Sequence, residues 1–141
     1  MPRRHRLRVL VHGLGGSSLG WARCMRQLAR SVRRVIAMDL PGAGFSPTPA
    51  SGPLGIEGLA RALADFLEQE VQAPYVLAGN SLGGALAARH AALRPERIEG
   101  LVLVAPAGAR VAPARMEEVL RSYRITSAGE ARALMRRFFH R

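Results

Sequence analysis

Apolar residues along the chain follow two alternating spacings, one typical of strands and the other typical of helices. Four short β-rich runs are predicted as strands: residues 6–11, 34–38, 75–78 and 98–104. Helical spacing predicts helices from Trp21 to Arg30, from Ile56 to Leu67, and from Leu82 to Leu93. Strands and helices in this order indicate parallel βαβ units, so we predict an α/β fold with helices on both faces of a mostly parallel sheet.

The pattern changes toward the C-terminal end of the chain. Pro113 suits the first turn of a helix, and Ser127 and Glu130 have the spacing of a capping box that starts another. Two consecutive helices with no strand between them indicate an inserted helical element. We therefore expect one unit in residues 1–110 and a second in residues 111–141.

Composition places the chain among globular proteins of a single domain. Its 141 residues are 48% hydrophobic, which is enough for a buried core. Cys24 is the only cysteine, which excludes an intrachain disulfide and suits a reducing compartment. The basic start is followed by an apolar run that Arg8, His12 and Gly13 interrupt, which is unlike a signal peptide. We expect a cytoplasmic protein without a transmembrane helix.

The formal net charge of +11 is the property that most suggests a nucleic-acid partner. All 21 basic residues are arginines, however, and they are spread along the chain beside many alanines, glycines and prolines. GC-rich coding produces the same mixture, and no DNA- or RNA-binding motif accompanies the charge. We therefore expect no nucleic-acid partner.

The segment Gly79-Asn80-Ser81-Leu82-Gly83 carries the strongest chemical signal. Gly-x-Ser-x-Gly places a serine at a strained corner between a strand and a helix, where only glycines let the neighbouring backbone approach. A strand is predicted before Ser81 and a helix after it, and the start of that helix favours developing negative charge. Ser81 is accordingly the candidate nucleophile.

A second glycine-rich segment, His12-Gly13-Leu14-Gly15-Gly16, follows the first predicted strand, at the place of an oxyanion-hole loop. There the backbone N–H of Leu14 would join that of Leu82 in holding an oxyanion. The alternatives are an ordinary tight turn and a loop that cradles a phosphate. The dinucleotide-binding spacing of three glycines is not met, and the sequence indicates neither a cofactor nor a metal site.

These two segments, together with Asp39-Leu40-Pro41-Gly42-Ala43-Gly44-Phe45-Ser46 between them, resemble the ordered motifs of the α/β-hydrolase superfamily. The resemblance runs from about Arg6 to Gly108. In its details the sequence is similar to cap-bearing esterases and monoacylglycerol lipases. It implies hydrolysis of a small-molecule carboxylic ester through an acyl-enzyme on Ser81, and a helical cap after Pro113. Two alternatives stay open, a carbon–carbon bond hydrolase of the same fold and a non-catalytic binding protein on this scaffold.

The partners that such a serine requires are not evident in the sequence. Chain order in this fold is serine, then an acid, then histidine, and no aspartate follows Ser81. His5 lies in the basic start, His12 in the glycine loop, and His140 one residue from the end of the chain. His90 lies about 13 Å along the helix from Ser81, at 1.5 Å per residue, which is out of reach.

The resemblance places the acid and the histidine after later strands, and it places two further strands before Arg6. We therefore expect an incomplete hydrolase sheet of about four strands, followed by the start of the cap. Exposed edges of a parallel sheet invite aggregation, so we predict marginal stability and feeble activity for the chain alone.

Overall fold

The fold is built on a four-stranded sheet, as a computed structural model describing residues 7–122 and 124–138 shows. The strands are β1 (Leu7–Val11), β2 (Arg34–Met38), β3 (Tyr75–Asn80) and β4 (Ile98–Val104). Their order in space is β2-β1-β3-β4, and every pair is parallel. The α/β fold class predicted from the sequence is confirmed.

The strand β1 lies at the centre of the sheet. Leu7 pairs with Arg34 of β2 on one side and with Tyr75 of β3 on the other. Because β1, β2 and β3 are parallel, the loops that follow them meet at one edge of the sheet. The strand β3 extends two residues beyond its predicted end, because Gly79 and Asn80 still pair with β4.

The described residues form five α-helices. They are α1 (Ala22–Leu28), α2 (Ile56–Glu70), α3 (Leu82–Leu93), α4 (Pro113–Ser122) and α5 (Ala128–Phe138). The helix predicted from Trp21 instead begins with a 3₁₀ turn at Ser18–Trp21 and continues as α1. The helix α3 ends as predicted before Pro95, which opens a short 3₁₀ turn, Pro95–Arg97.

The core lies where α2 and α3 pack against the sheet. Alternate residues of β1 and β3 point into it, because successive side chains of a strand face opposite ways. The buried cluster consists of Val9, Val11, Met38, Leu40, Leu63, Leu67, Val71, Tyr75, Leu77, Leu86 and Ala87. Leu10 is also buried, so β1 is covered on both faces, as a central parallel strand requires.

The strand β4 differs from β1 because it forms an edge of the sheet. Its residues Leu101, Val102, Leu103 and Val104 are between 38% and 48% exposed, although consecutive residues point to opposite faces. The exposed flank expected on this side of the sheet is therefore present.

The chain divides into two compact units, with the boundary between Gly108 and Ala109. The second unit contains α4 and α5. At the start of α5, the Glu130 N–H donates to Ser127 Oγ (3.2 Å), while the Glu130 carboxylate accepts from the Thr126 N–H (2.7 Å). The predicted capping box is thus present with one shift, since its acid reaches Thr126 instead of Ser127. That this unit begins a cap stays a prediction.

Candidate functional site

Ser81 lies directly between β3 and α3, in a backbone conformation that non-glycine residues rarely adopt. Its φ is 50° and its ψ is −117°. Such strain costs on the order of 1–3 kcal/mol and persists only where the surroundings impose it. Here the Ser81 N–H donates to the Val104 carbonyl (3.0 Å), and the Ala107 N–H donates to the Ser81 carbonyl (2.9 Å). The end of β4 and the loop after it thus hold the serine in this conformation.

The glycines on either side of Ser81 are required by close backbone contacts. A Cβ atom at Gly79 would overlap the carbonyl of Gly83. A Cβ atom at Gly83 would overlap the carbonyls of Val11 and His12, at the end of β1. The start of α3 can therefore approach the sheet only because both positions lack a side chain.

The glycine loop after β1 lies against Ser81. A Cβ atom built on Gly13 would stand 3.0 Å from Ser81 Cβ. The loop is a turn, closed by a hydrogen bond from the Gly16 N–H to the Gly13 carbonyl (3.1 Å), with Gly15 at a φ of 69°. Leu14 is the second residue of this turn, a position whose N–H is not used to close it.

The start of α3 carries backbone N–H groups without partners in the helix, directly after Ser81. The N–H of Leu82 belongs to the first residue of α3, where no partner within the helix exists. The N–H of Leu14 lies in the neighbouring turn, one residue after Gly13. The N-terminal end of the helix dipole adds partial positive charge, and the first turn of α3 carries no acidic residue.

His12 is buried and both of its ring nitrogens are engaged. The Leu40 N–H donates to Nε2 (3.0 Å), and Nδ1 lies 2.8 Å from the Gly13 carbonyl. Because Nε2 accepts, the proton resides on Nδ1 and is donated to that carbonyl. His12 therefore fastens the glycine loop to the end of β2 and has no nitrogen left to take a proton from Ser81.

Asp39 has a structural role in the loops beside Ser81. Its carboxylate accepts from the Ser18 N–H (2.6 Å) and from the Phe45 N–H (2.9 Å). The Phe45 N–H first, and then that of Ser18, lower the pKa of this carboxyl below its ordinary value. Asp39 thus joins the loops after β1 and β2. A Cβ atom at Gly44 would overlap the carboxylate, so the Asp39–Gly44 spacing is the signal that identifies this role.

His90 lies far from Ser81, as its position along α3 predicts. Its Nε2 is 2.9 Å from the hydroxyl of Tyr75, the first residue of β3, whereas Ser81 follows the last. Tyr75 and Ser81 are six residues apart along this strand, which corresponds to about 20 Å. Burial first, and then the charge of Arg97, lower the pKa of His90. This buried pair belongs to the core and not to the site.

Among the residues that the structure describes, no histidine or carboxylate hydrogen-bonds the Ser81 hydroxyl. His5 and His140 lie outside the described residues. Of the acids after Ser81, Glu117 pairs with Arg121 (3.5 Å) and Glu118 with Arg115 (2.6 Å), both within α4. Within the same residues, no group of three histidine, cysteine or acidic side chains is suited to a metal ion. No described helix is long and apolar enough to cross a membrane.

A wide concavity lies at the opposite edge of the sheet from Ser81. It has a volume of about 1040 Å³ and is lined by residues that include Arg34, Glu68, Pro74, Arg97 and Glu99. Its cationic and acidic side chains largely balance one another, and none of the residues singled out in the sequence lines it. The chemistry described above therefore resides at the carboxyl edge of the strands.

Comparison with known proteins agrees with this architecture. The chain is 34% identical, over 134 residues, to the pimeloyl-[acyl-carrier protein] methyl ester esterase of Aeromonas salmonicida, matching 92% of this chain and 51% of that protein. It is 40% identical, over 103 residues, to the 2-hydroxy-6-oxo-2,4-heptadienoate hydrolase of Pseudomonas putida, matching 71% and 37%.

Among solved structures, a membrane phospholipase A is similar, with a TM-score of 0.79 and 28% identity, over 93% of this chain and 44% of that one. The chain thus spans about half, or less, of the length of these relatives. The family model of the α/β-hydrolase fold matches residues 9–141. The chain belongs to the α/β-hydrolase fold family.

Proposed function

We propose that Ser81 is the nucleophile of a hydrolase that cleaves carboxylic esters. The observation that carries this proposal is the backbone of Ser81, held at a φ of 50° between β3 and α3. A strained serine between two obligatory glycines is the arrangement of a nucleophile elbow, which presents the hydroxyl above the sheet. Family membership and the similarity to an esterase support the same reaction.

In the proposed reaction, the Ser81 oxygen forms a bond to the carbonyl carbon of the ester while its proton passes to a base. The N–H groups of Leu14 and Leu82 stabilise the negative charge that develops on the carbonyl oxygen. Collapse of this intermediate breaks the ester bond, and the alcohol leaves with a proton. Water then hydrolyses the acyl-enzyme by the same route, which releases the acid and restores Ser81.

The acid and base of the triad are not assigned to residues of this chain. His12 is fully engaged and His90 lies at the other edge of the sheet. The matched relatives are about twice as long as this chain. We therefore propose the complete reaction for the whole protein and expect the chain alone to hydrolyse esters only feebly. The proposal includes a small-molecule substrate and no cofactor, and it places the protein in the cytoplasm because Cys24 is its single cysteine.

Carbon–carbon bond hydrolysis is the second candidate. It is favoured by the 40% identity to a hydrolase of 2-hydroxy-6-oxo-2,4-heptadienoate. Both reactions would use the same serine and the same oxyanion hole. Nitrophenyl esters and a vinylogous diketone, assayed side by side with the wild-type chain and the Ser81→Ala variant, distinguish the two.

The nucleophile is tested by labelling with a fluorophosphonate and locating the adduct by peptide mass spectrometry. Imidazole in the buffer supplies the base that the described residues lack beside Ser81. We expect one adduct, on Ser81, which Ser81→Ala abolishes and Ser31→Ala, at an exposed serine elsewhere, leaves unchanged. Equal labelling of several serines, or no labelling of a chain that circular dichroism shows to be folded, would contradict the proposal. The second outcome would favour a binding protein.

A further inference from the structure

The charge of the chain is distributed very unevenly along its length. Nine of the 21 arginines, but none of the ten acidic residues, lie in the first 38 residues. The remaining 103 residues are therefore close to neutral. Within the described part of that first segment, most of the arginines lie on or just after α1.

The helix α1 presents these arginines on one face. Arg23 and Arg26 lie three residues apart on α1, Arg30 lies two residues after its end, and all three are exposed. They line a shallow depression of about 320 Å³ together with Gln27. The helix buries none of its residues, so this face does not serve the core.

Within the described residues, no acidic side chain forms an ion pair with Arg23, Arg26 or Arg30. In the described residues, the ion pairs between side chains involve Arg89, Arg94, Arg97, Arg115 and Arg121, and therefore none on α1. Asp39 is the nearest acid in sequence, but its carboxylate is occupied by the N–H groups of Ser18 and Phe45. A face of unpaired guanidinium groups is suited to an anionic partner.

Two large apolar side chains are exposed in the segments that adjoin α1. Leu19 is 67% exposed and lies in the 3₁₀ turn that leads directly into α1. Phe45 is 84% exposed, and its N–H meets the Asp39 carboxylate that also holds Ser18, the neighbour of Leu19. The Asp39 carboxylate thus holds the backbone of Phe45 close to that of Ser18, the residue before Leu19.

We propose that Leu19, Phe45, Arg23, Arg26 and Arg30 form a docking surface for an anionic lipid bilayer. The arginines would meet lipid phosphates, for which the planar guanidinium is well suited, while the leucine and phenylalanine enter the boundary between headgroups and acyl chains. A bilayer accommodates both parts of this surface, because its headgroups carry negative charge and the acyl region beneath them is apolar. The proposal is independent of the reaction at Ser81.

The test is sedimentation of the 141-residue chain with vesicles of phosphatidylglycerol, and with vesicles of phosphatidylcholine as the uncharged reference. We expect binding to the anionic vesicles alone, weakened by added salt. The triple variant Arg23→Gln, Arg26→Gln, Arg30→Gln should lower the partition coefficient roughly a hundredfold, since each arginine at an anionic surface contributes about a fivefold change. Glutamine preserves the helix, because it is a good helix former.

A matched triple variant, Arg110→Gln, Arg132→Gln, Arg136→Gln, removes the same charge from exposed positions of the second unit. We expect it to lower binding less than about fivefold. The double variant Leu19→Ser, Phe45→Ser tests the apolar part, and we expect about a tenfold loss that added salt does not reproduce. Circular dichroism confirms that each variant is folded.

Three results would overturn the proposal. The first is an absence of binding to anionic vesicles. The second is an equal loss of vesicle binding in the two triple variants, which would show that binding depends only on the net charge of the chain. The third is tighter binding of single-stranded DNA than of vesicles, with the same dependence on Arg23, Arg26 and Arg30. Because binding and not turnover is measured, none of these results depends on whether Ser81 is a nucleophile.

Discussion

One added methyl group where α3 contacts the end of β1 should lower the free energy of unfolding substantially. The change Gly83→Ala adds a Cβ atom that would overlap the carbonyls of Val11 and His12. Both obstacles are backbone atoms of the central strand and of the turn after it, so neither can rotate away. The start of α3 has to move off the sheet instead.

Two opposing effects determine the magnitude. Alanine is favoured over glycine within a helix by about 1 kcal/mol, which stabilises the variant. Overpacking of a well-packed contact costs about 1–3 kcal/mol, and the upper end applies where only backbone can yield. We therefore expect a net loss of about 2 kcal/mol in the free energy of unfolding. This corresponds to a midpoint of thermal unfolding lowered by about 7 °C.

Urea denaturation measures this loss, followed by far-UV circular dichroism and by fluorescence of Trp21, the only tryptophan. The matched control is Gly20→Ala, since a Cβ atom at Gly20 meets nothing within 4 Å. We expect the control to lie within about 0.5 kcal/mol of the wild type. If Gly83→Ala were as stable as this control, with an unchanged denaturant slope, the steric reasoning would be refuted.

Three further predictions concern single side chains. Ser81→Gly should raise the free energy of unfolding by about 1 kcal/mol, because glycine tolerates a φ of 50°, whereas Ser81→Ala should not; urea titration compares them. Asp39→Asn should cost about 1–2 kcal/mol at neutral pH by losing two charge-assisted hydrogen bonds. Because the pKa of Asp39 is lowered in the fold, its carboxylate stabilises the protein above pH about 4, and this contribution is lost in stronger acid. The free energies of unfolding of the wild type and of Asp39→Asn should therefore converge at low pH. The pKa of His90 is also lowered, so the neutral ring stabilises the fold above pH about 6.5 and stability falls below it, by up to about 1.4 kcal/mol per pH unit. Unfolding measured from pH 7 to 5 should show a flatter slope for His90→Gln, and equal slopes would contradict this assignment.

Most of the fold could be predicted from local patterns. The four strands and the helices α2 and α3 follow the spacing of apolar residues. Burial of one face of an element requires apolar residues at the repeat of that element, which differs between strands and helices. The start of α1 was misplaced, since no side chain caps the turn at Ser18–Trp21 and sequence patterns rarely mark such turns. The last residues of β3 were missed because Gly79 and Asn80 have poor strand propensity, and their pairing with β4 is a tertiary effect.

The candidate site was predictable where a motif imposes backbone geometry. The position of Ser81 between strand and helix follows from Gly79 and Gly83, because a side chain at either position would overlap the backbone. The link from Asp39 to Ser18 was not predictable in the same way, because it joins residues 21 positions apart across two loops. The hydrogen bond from the Leu40 N–H to His12 spans 28 positions, and only the three-dimensional structure reveals it.

The central place of β1 in the sheet has a consequence for synthesis of the chain. Leu7 pairs with Tyr75, so 68 further residues must be made before β1 meets its second neighbour. At about 5–20 residues per second this takes roughly 3–14 s. The strand β1 is made before β3, and its residues Val9, Leu10 and Val11 lack this neighbour throughout that interval. One edge of this apolar strand is therefore open to wrong pairing during these seconds, until β3 emerges and pairs with it.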